Sequence, residues 1–92
     1  MGLILANRHP PVVPHKSVPA GERRLQAVSV ALRECRKEIG LSQEALAVEA
    51  SVERSYLGAI ERGEVNVTLL VIARLCHALN IKPSELLARA RL

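Results

Sequence analysis

From Glu22 to Leu92 the apolar residues fall into short blocks with helical spacing, and glycine, serine, asparagine or proline stands between the blocks. That punctuation restricts the chain to a bundle of short packed helices. The first block shows it best. Leu25, Val28, Leu32, Cys35 and Ile39 are spaced three, four, three and four residues apart, one stripe of a helix. Arg23, Arg24, Arg33 and Lys37 lie off the stripe. Gly40 closes this helix, and Ser42 suits the N-cap of a second, which holds Ala45, Leu46, Ala47 and Val48. After a break at Ala50-Ser51-Val52, a third helix is predicted from about Glu53 to Arg62, with Leu57 and Ile60 facing inward and Gly63 as its stop. Asn66-Val67-Thr68 reads as a loop ending in a cap. A fourth helix from about Leu69 to Leu79 is expected to bury Leu69, Ile72, Ala73, Cys76 and Leu79, and Asn80 ends it. Pro83 opens a fifth, with Ser84 and Glu85 in its first turn and Leu86, Leu87 and Ala90 beyond. No segment alternates with the period of a strand. The expectation is a compact all-α five-helix domain over residues 22–92.

The core material agrees with this. Nearly half of the 92 residues are apolar (49%), yet Phe and Trp are absent and Tyr56 is the one aromatic. An aliphatic core of this kind suits helix packing. A single aromatic also argues against stacking platforms for single-stranded nucleic acid, which need several. Residues 1–21 differ: they hold Pro10, Pro11, Pro14 and Pro19, followed by Gly21, and read as a flexible N-terminal arm. Leu3-Ile4-Leu5 is an apolar patch within that arm. The opening MGLILA lacks the basic stretch and the length of a secretory signal. No apolar run approaches the ~18 residues of a membrane helix. A cytoplasmic protein with no membrane partner is expected.

Cys35 and Cys76 each fall on an apolar stripe and read as reduced core cysteines. His9, His15 and His77 lack metal-ligand spacing, so no metal is expected. Without a nucleophile–base pair, metal cluster or phosphate loop, an enzyme is not expected, nor is a cofactor. No sensor segment suggests a small-molecule ligand.

Charge and spacing then point to a partner. The net charge is +4, but residues 41–66 carry five glutamates against two arginines, while both flanks are basic. The acidic centre coincides with the pattern of a helix-turn-helix. Ala47 is small where a second helix crosses, with Ala50 helping. Ser51 stands where the chain reverses, and Leu57 and Ile60 pin the second helix against Leu46 and Val52.

Residues 32–87, LRECRKEIGLSQEALAVEASVERSYLGAIERGEVNVTLLVIARLCHALNIKPSELL, resemble the phage-repressor and Cro-like helix-turn-helix family, also called the xenobiotic-response-element family. LRECRKEIGLSQEALA, IERG, LCHALNI and KPSELL carry the likeness, and ERSYLGAIERGEVNVT is similar to the controller proteins of restriction–modification systems. The resemblance implies a lambda-repressor-like fold and a transcriptional regulator, a homodimer reading a palindromic operator in double-stranded DNA. The alternative is a protein-interaction or antitoxin module on the same fold. By position, Gln43 matches a glutamine that bonds a DNA phosphate and braces the recognition helix. Glu53, Arg54, Ser55 and Tyr56 match positions near bases and phosphates, and Ala59 another groove-facing position. Arg62 and Asn66 match positions near the backbone. Arg36 and Glu61 match an ion pair between the first and third helices.

The residue chemistry adds detail. Arg54 can grip guanine O6 and N7 with two bonds. Tyr56 suits a phosphate or a thymine methyl, or equally the edge of the core. Glu53 suits the helix dipole and the cap but opposes a phosphate. Ser51 stands where the family has glycine. Leu86, Leu87, Ala90 and Leu92 of the last helix form a candidate dimer seam.

Overall fold

The computed structural model describes residues 22–92 and forms five helices, with no strand among the described residues: α1 Arg23–Glu38, α2 Gln43–Ala50, α3 Arg54–Glu61, α4 Leu69–Leu79 and α5 Pro83–Arg89. The N-terminal arm and its Leu3-Ile4-Leu5 patch lie outside the described residues. Each helix begins where its capping chemistry allows. The Ser42 hydroxyl accepts from Ala45 N and the Thr68 hydroxyl from Val71 N, satisfying backbone donors that the first turn leaves open. Glu22 does the same for Arg24 N at the head of α1. Pro83 occupies the first turn of α5, where Glu85 reaches back to Lys82 N.

All five helices end alike. An amide two or three residues past the end of each helix bonds back five residues: Leu41 to Arg36, Val52 to Ala47, Glu64 to Ala59, Ile81 to Cys76 and Leu92 to Leu87. This closure needs a left-handed residue just before the donor. Gly40, Ser51, Gly63, Asn80 and Arg91 fill those places, with φ of 76, 56, 72, 59 and 62°. At Gly63 the positive φ favours glycine, and a Cβ there would also displace the end of the Gln26 side chain, whose amide nitrogen would lie 2.6 Å away.

One aliphatic core joins the helices. Leu32, Leu46, Leu57, Leu75, Leu86 and Cys76 are fully enclosed. α2 packs on α3 and α4, α1 on α3 and α5, and α4 on α5. Ala47 and Ala50 are buried at the α2–α3 crossing, as the small residues there require. Several expected core positions differ. On α4, Leu69 is 76% exposed and Ala73 is also outside, while Leu75 is buried in their place. Leu69 is the first residue of its helix, and the preceding loop sends Val65 and Val67 into the core instead. Ile39 lies past the end of α1 and is 52% exposed. On α5, Leu86 and Ala90 belong to the core of the same chain, which leaves Leu87 and Leu92 exposed.

Among the described residues no helix is long and apolar enough to cross a membrane. No group of three or more His, Cys, Asp or Glu among them is placed to hold a metal ion.

Candidate nucleic-acid interface

The interface is built from α2, α3 and the tight turn between them. Ser51 takes the left-handed conformation (φ 56°, ψ 47°) that lets the chain reverse, so the turn keeps its shape without glycine. Three residues later α3 begins. Its burial is one-sided. Leu57, Gly58, Ile60 and Glu61 are buried, whereas Arg54, Ser55 and Arg62 are exposed and Tyr56 and Ala59 are half-buried. At 100° per residue, Ser55, Ala59 and Arg62 fall on the face opposite the core. Arg54 and Tyr56 flank that face on either side. Glu53 is exposed just before the helix, and Asn66 is exposed in the loop after it.

The Glu53 carboxylate makes no capping bond, although it stands at the N-cap. The expectation that it caps α3 is corrected on this point. Its interaction with the helix is confined to charge at the dipole's positive end.

A buried polar chain ties this surface to the core. Glu61 is 1% exposed. Arg36 Nε donates to Glu61 Oε2 at 2.7 Å and Arg36 Nη2 to Oε1 at 3.0 Å, so the α1–α3 pair expected from the sequence is bidentate. Arg36 Nη1 also donates to the Leu41 carbonyl at 2.8 Å. Gln43 Nε2 donates to Glu61 Oε1 at 2.9 Å, and Arg54 Nη1 donates to Gln43 Oε1 at 3.0 Å. The orientation of the Gln43 amide follows from chemistry alone: a carboxylate only accepts and a guanidinium only donates. Burial raises the Glu61 pKa, but hydrogen bonds from Arg36 and Gln43 and the charges of Arg36 and Arg33 outweigh it and hold the carboxyl below its ordinary value.

Two further polar groups join α1 to α3, and the residue spacing marks neither. Arg33 donates to the Glu61 carbonyl, and its Nε lies 3.9 Å from the carboxylate. Its place off the apolar stripe gives no sign of this bond. Ser29 is buried in α1, with its hydroxyl 2.7 Å from both the Leu25 and the Ile60 carbonyls. A polar residue beside an apolar stripe was the available signal. Among the described residues, no buried side-chain nitrogen or oxygen lacks a partner.

The acidic centre is thus partly taken up by contacts within the fold. Glu61 is buried, and Glu64 pairs with Arg62 at 3.0 Å. Glu44 sits in the first turn of α2.

Residues 32–86 match the helix-turn-helix family model HTH_3. The chain belongs to the helix-turn-helix family. It is a DNA-binding transcriptional regulator, not an enzyme. This helix-turn-helix protein is 43% identical over 58 residues to control protein C.SmaI of Serratia marcescens, covering 63% of this chain and 69% of that one. It is 45% identical over 47 residues to control protein C.BamHI of Bacillus amyloliquefaciens, over 51% of this chain and 58% of the relative. Among solved structures, the restriction–modification controller protein C.AhdI of Aeromonas hydrophila superposes with a TM-score of 0.66 at 48% identity, covering 67% of this chain and 94% of its own.

Proposed function

We propose that this protein is a cytoplasmic controller of the restriction–modification type, acting as a homodimer on a palindromic operator with α3 in the major groove. The observation that carries the reading is the chain of bonds from Glu61 through Gln43 to Arg54. It fixes one strong base-reading side chain at the head of a helix whose outer face is Ser55, Ala59 and Arg62. A guanidinium has five N–H donors. Gln43 uses one on Arg54, and the rest include a pair able to fork onto a guanine. Ser55 is a generic partner to bases. Tyr56 and Ala59 line the groove face. Gln43 keeps its second amide hydrogen for a phosphate, and Arg62 and Asn66 serve the backbone after the helix. Glu53, beside Arg54, suits a cytosine amine and disfavours other bases.

Dimerisation doubles a small footprint and sets two recognition helices one helical turn apart. With Leu86 and Ala90 in the core, Leu87 and Leu92 are the α5 residues that remain for a seam.

The test begins with duplexes selected by the full chain from a randomised pool. A palindromic consensus is expected, with affinity that falls steeply as salt rises. Arg54→Ala should flatten the preference at one guanine in each half-site. Selection of no consensus, or an Arg54→Ala variant with unaltered preference, overturns the reading. A protein-interaction module would show binding that barely responds to salt.

A further inference from the structure

Gly58 stands in the middle of α3, where glycine is a poor choice. It takes no left-handed angle; among the described glycines only Gly40 and Gly63 do. Helix propensity would favour almost any other residue here, so the reason for glycine is space. A Cβ built at Gly58 would point at three polar atoms: Arg62 Nη1 at 3.1 Å, Gln43 Oε1 at 3.9 Å and Arg54 Nη1 at 4.0 Å. Arg54, Gly58 and Arg62 are four residues apart in turn, so they line up along one side of α3. The missing side chain lets two guanidinium groups converge over Gly58, which lies buried beneath them.

We propose that Arg54 and Arg62, brought together over Gly58, hold one backbone phosphate of duplex DNA between them. The inference rests on the DNA-reading role proposed above and adds Gly58 as the residue that shapes the seat. The distances support it. Both Nη1 atoms lie within 4.0 Å of one point, so they stand no more than about 8 Å apart. Charge-assisted N–H···O bonds of about 2.8 Å from either side let one phosphate bridge such a gap. Two cations held this close repel each other, and an anion between them removes the repulsion. The other partners leave this side open to use. Glu64 takes Arg62 through Nε, and Gln43 occupies only one of the Arg54 donors. Arg54 can therefore bond the phosphate through Nη1 while its remaining edge faces a base. A Cβ at position 58 would meet the Arg62 head group at 3.1 Å and shift it by a few tenths of an ångström, and a branched side chain would shift it further.

The experiment compares the full chain with Gly58→Val and Gly58→Ala. Thermal unfolding by circular dichroism comes first, because both residues are better helix formers than glycine. Both variants should melt at or near the wild-type temperature. Binding is then measured across a salt series on two duplexes: one selected by the wild type and one of unrelated sequence. Gly58→Val should bind both about tenfold more weakly. Its slope of log affinity against log salt should fall by about 0.9, the loss of one phosphate contact. Preference between the two duplexes should stay as it was. Arg62→Gln should give the same losses, and adding it to Gly58→Val should cost nothing more. If Gly58→Val melts below 37 °C, Gly58→Ala carries the test, with a smaller loss in the same direction. A folded variant with the wild-type salt slope overturns the seat. So does an Arg62→Gln loss that Gly58→Val does not share. If the wild type selects no duplex at all, the DNA reading itself has failed, which is a separate result.

Discussion

Substituting Glu61 with glutamine tests the network that joins core and surface. The carboxylate is 1% exposed and the Arg36 side chain 10%, so the pair sits almost wholly out of water. Glu61 accepts two bonds from Arg36 and one from Gln43, with Arg33 at 3.9 Å. In Glu61→Gln the shape is kept and the charge is lost. The Arg36 guanidinium then remains buried without a counter-ion, and breaking a buried pair in this way costs about 3–5 kcal/mol. A domain of about 70 residues has a total stability of roughly 4–10 kcal/mol. The variant should therefore lose roughly 30% of it or more. At about 4–8 °C per kcal/mol for a domain this size, melting should fall by no less than roughly 12 °C. Guanidinium chloride titration followed by circular dichroism gives the free energy directly, and an unchanged slope would confirm that only stability moved. A loss under about 1 kcal/mol would refute the reasoning, since that is the value of a solvent-screened surface pair. The pH dependence supplies a second reading. Because the folded state holds the Glu61 pKa below 4.5, the pair's stabilisation is complete above that value and disappears as pH falls through the lower folded value. Wild-type stability should drop along that acid limb, and Glu61→Gln should drop less.

Other perturbations probe separate features. Ser51→Gly should stabilise the domain by up to about 1 kcal/mol, since the turn holds Ser51 at a positive φ that costs any residue with a Cβ; thermal melting measures it. Burial pushes the Cys76 thiol up to about 11, and the Cys35 thiol is raised as well. Neither should react with iodoacetamide at pH 8 in the folded protein, and both should react in denaturant. Leu87→Glu should shift the protein towards monomer in sedimentation equilibrium and weaken operator binding, while folding is kept because Leu87 lies outside the core. Thr68→Ala should cost about 1 kcal/mol by removing the bond to Val71 N.

Much of the fold was legible locally. Ser42, Thr68 and Pro83 mark helix starts, and Gly40, Gly63 and Asn80 mark ends, because capping depends only on neighbours along the chain. The inward stripe of α1 was readable over Val28, Leu32 and Cys35. The Arg36–Glu61 pair was legible only through the family resemblance, since nothing in the spacing of two residues 25 apart announces a bond. Where local signals are balanced, spacing alone does not decide burial. Leu69 and Leu75 are equally apolar, yet Leu69 opens α4 and is exposed, Leu75 is buried, and the loop residues Val65 and Val67 pack with the core.

The sequence by itself determined five short helices, an aliphatic core and a turn tight enough for a helix-turn-helix. These follow from periodicity and capping, which act over a few residues. The tertiary structure alone decided how the polar residues were shared. It buried Glu61, bound Arg33 to the Glu61 carbonyl, and strung Gln43 between Glu61 and Arg54. A side chain with several donors meets whichever acceptor the packing brings near, and that depends on where α1, α2 and α3 cross.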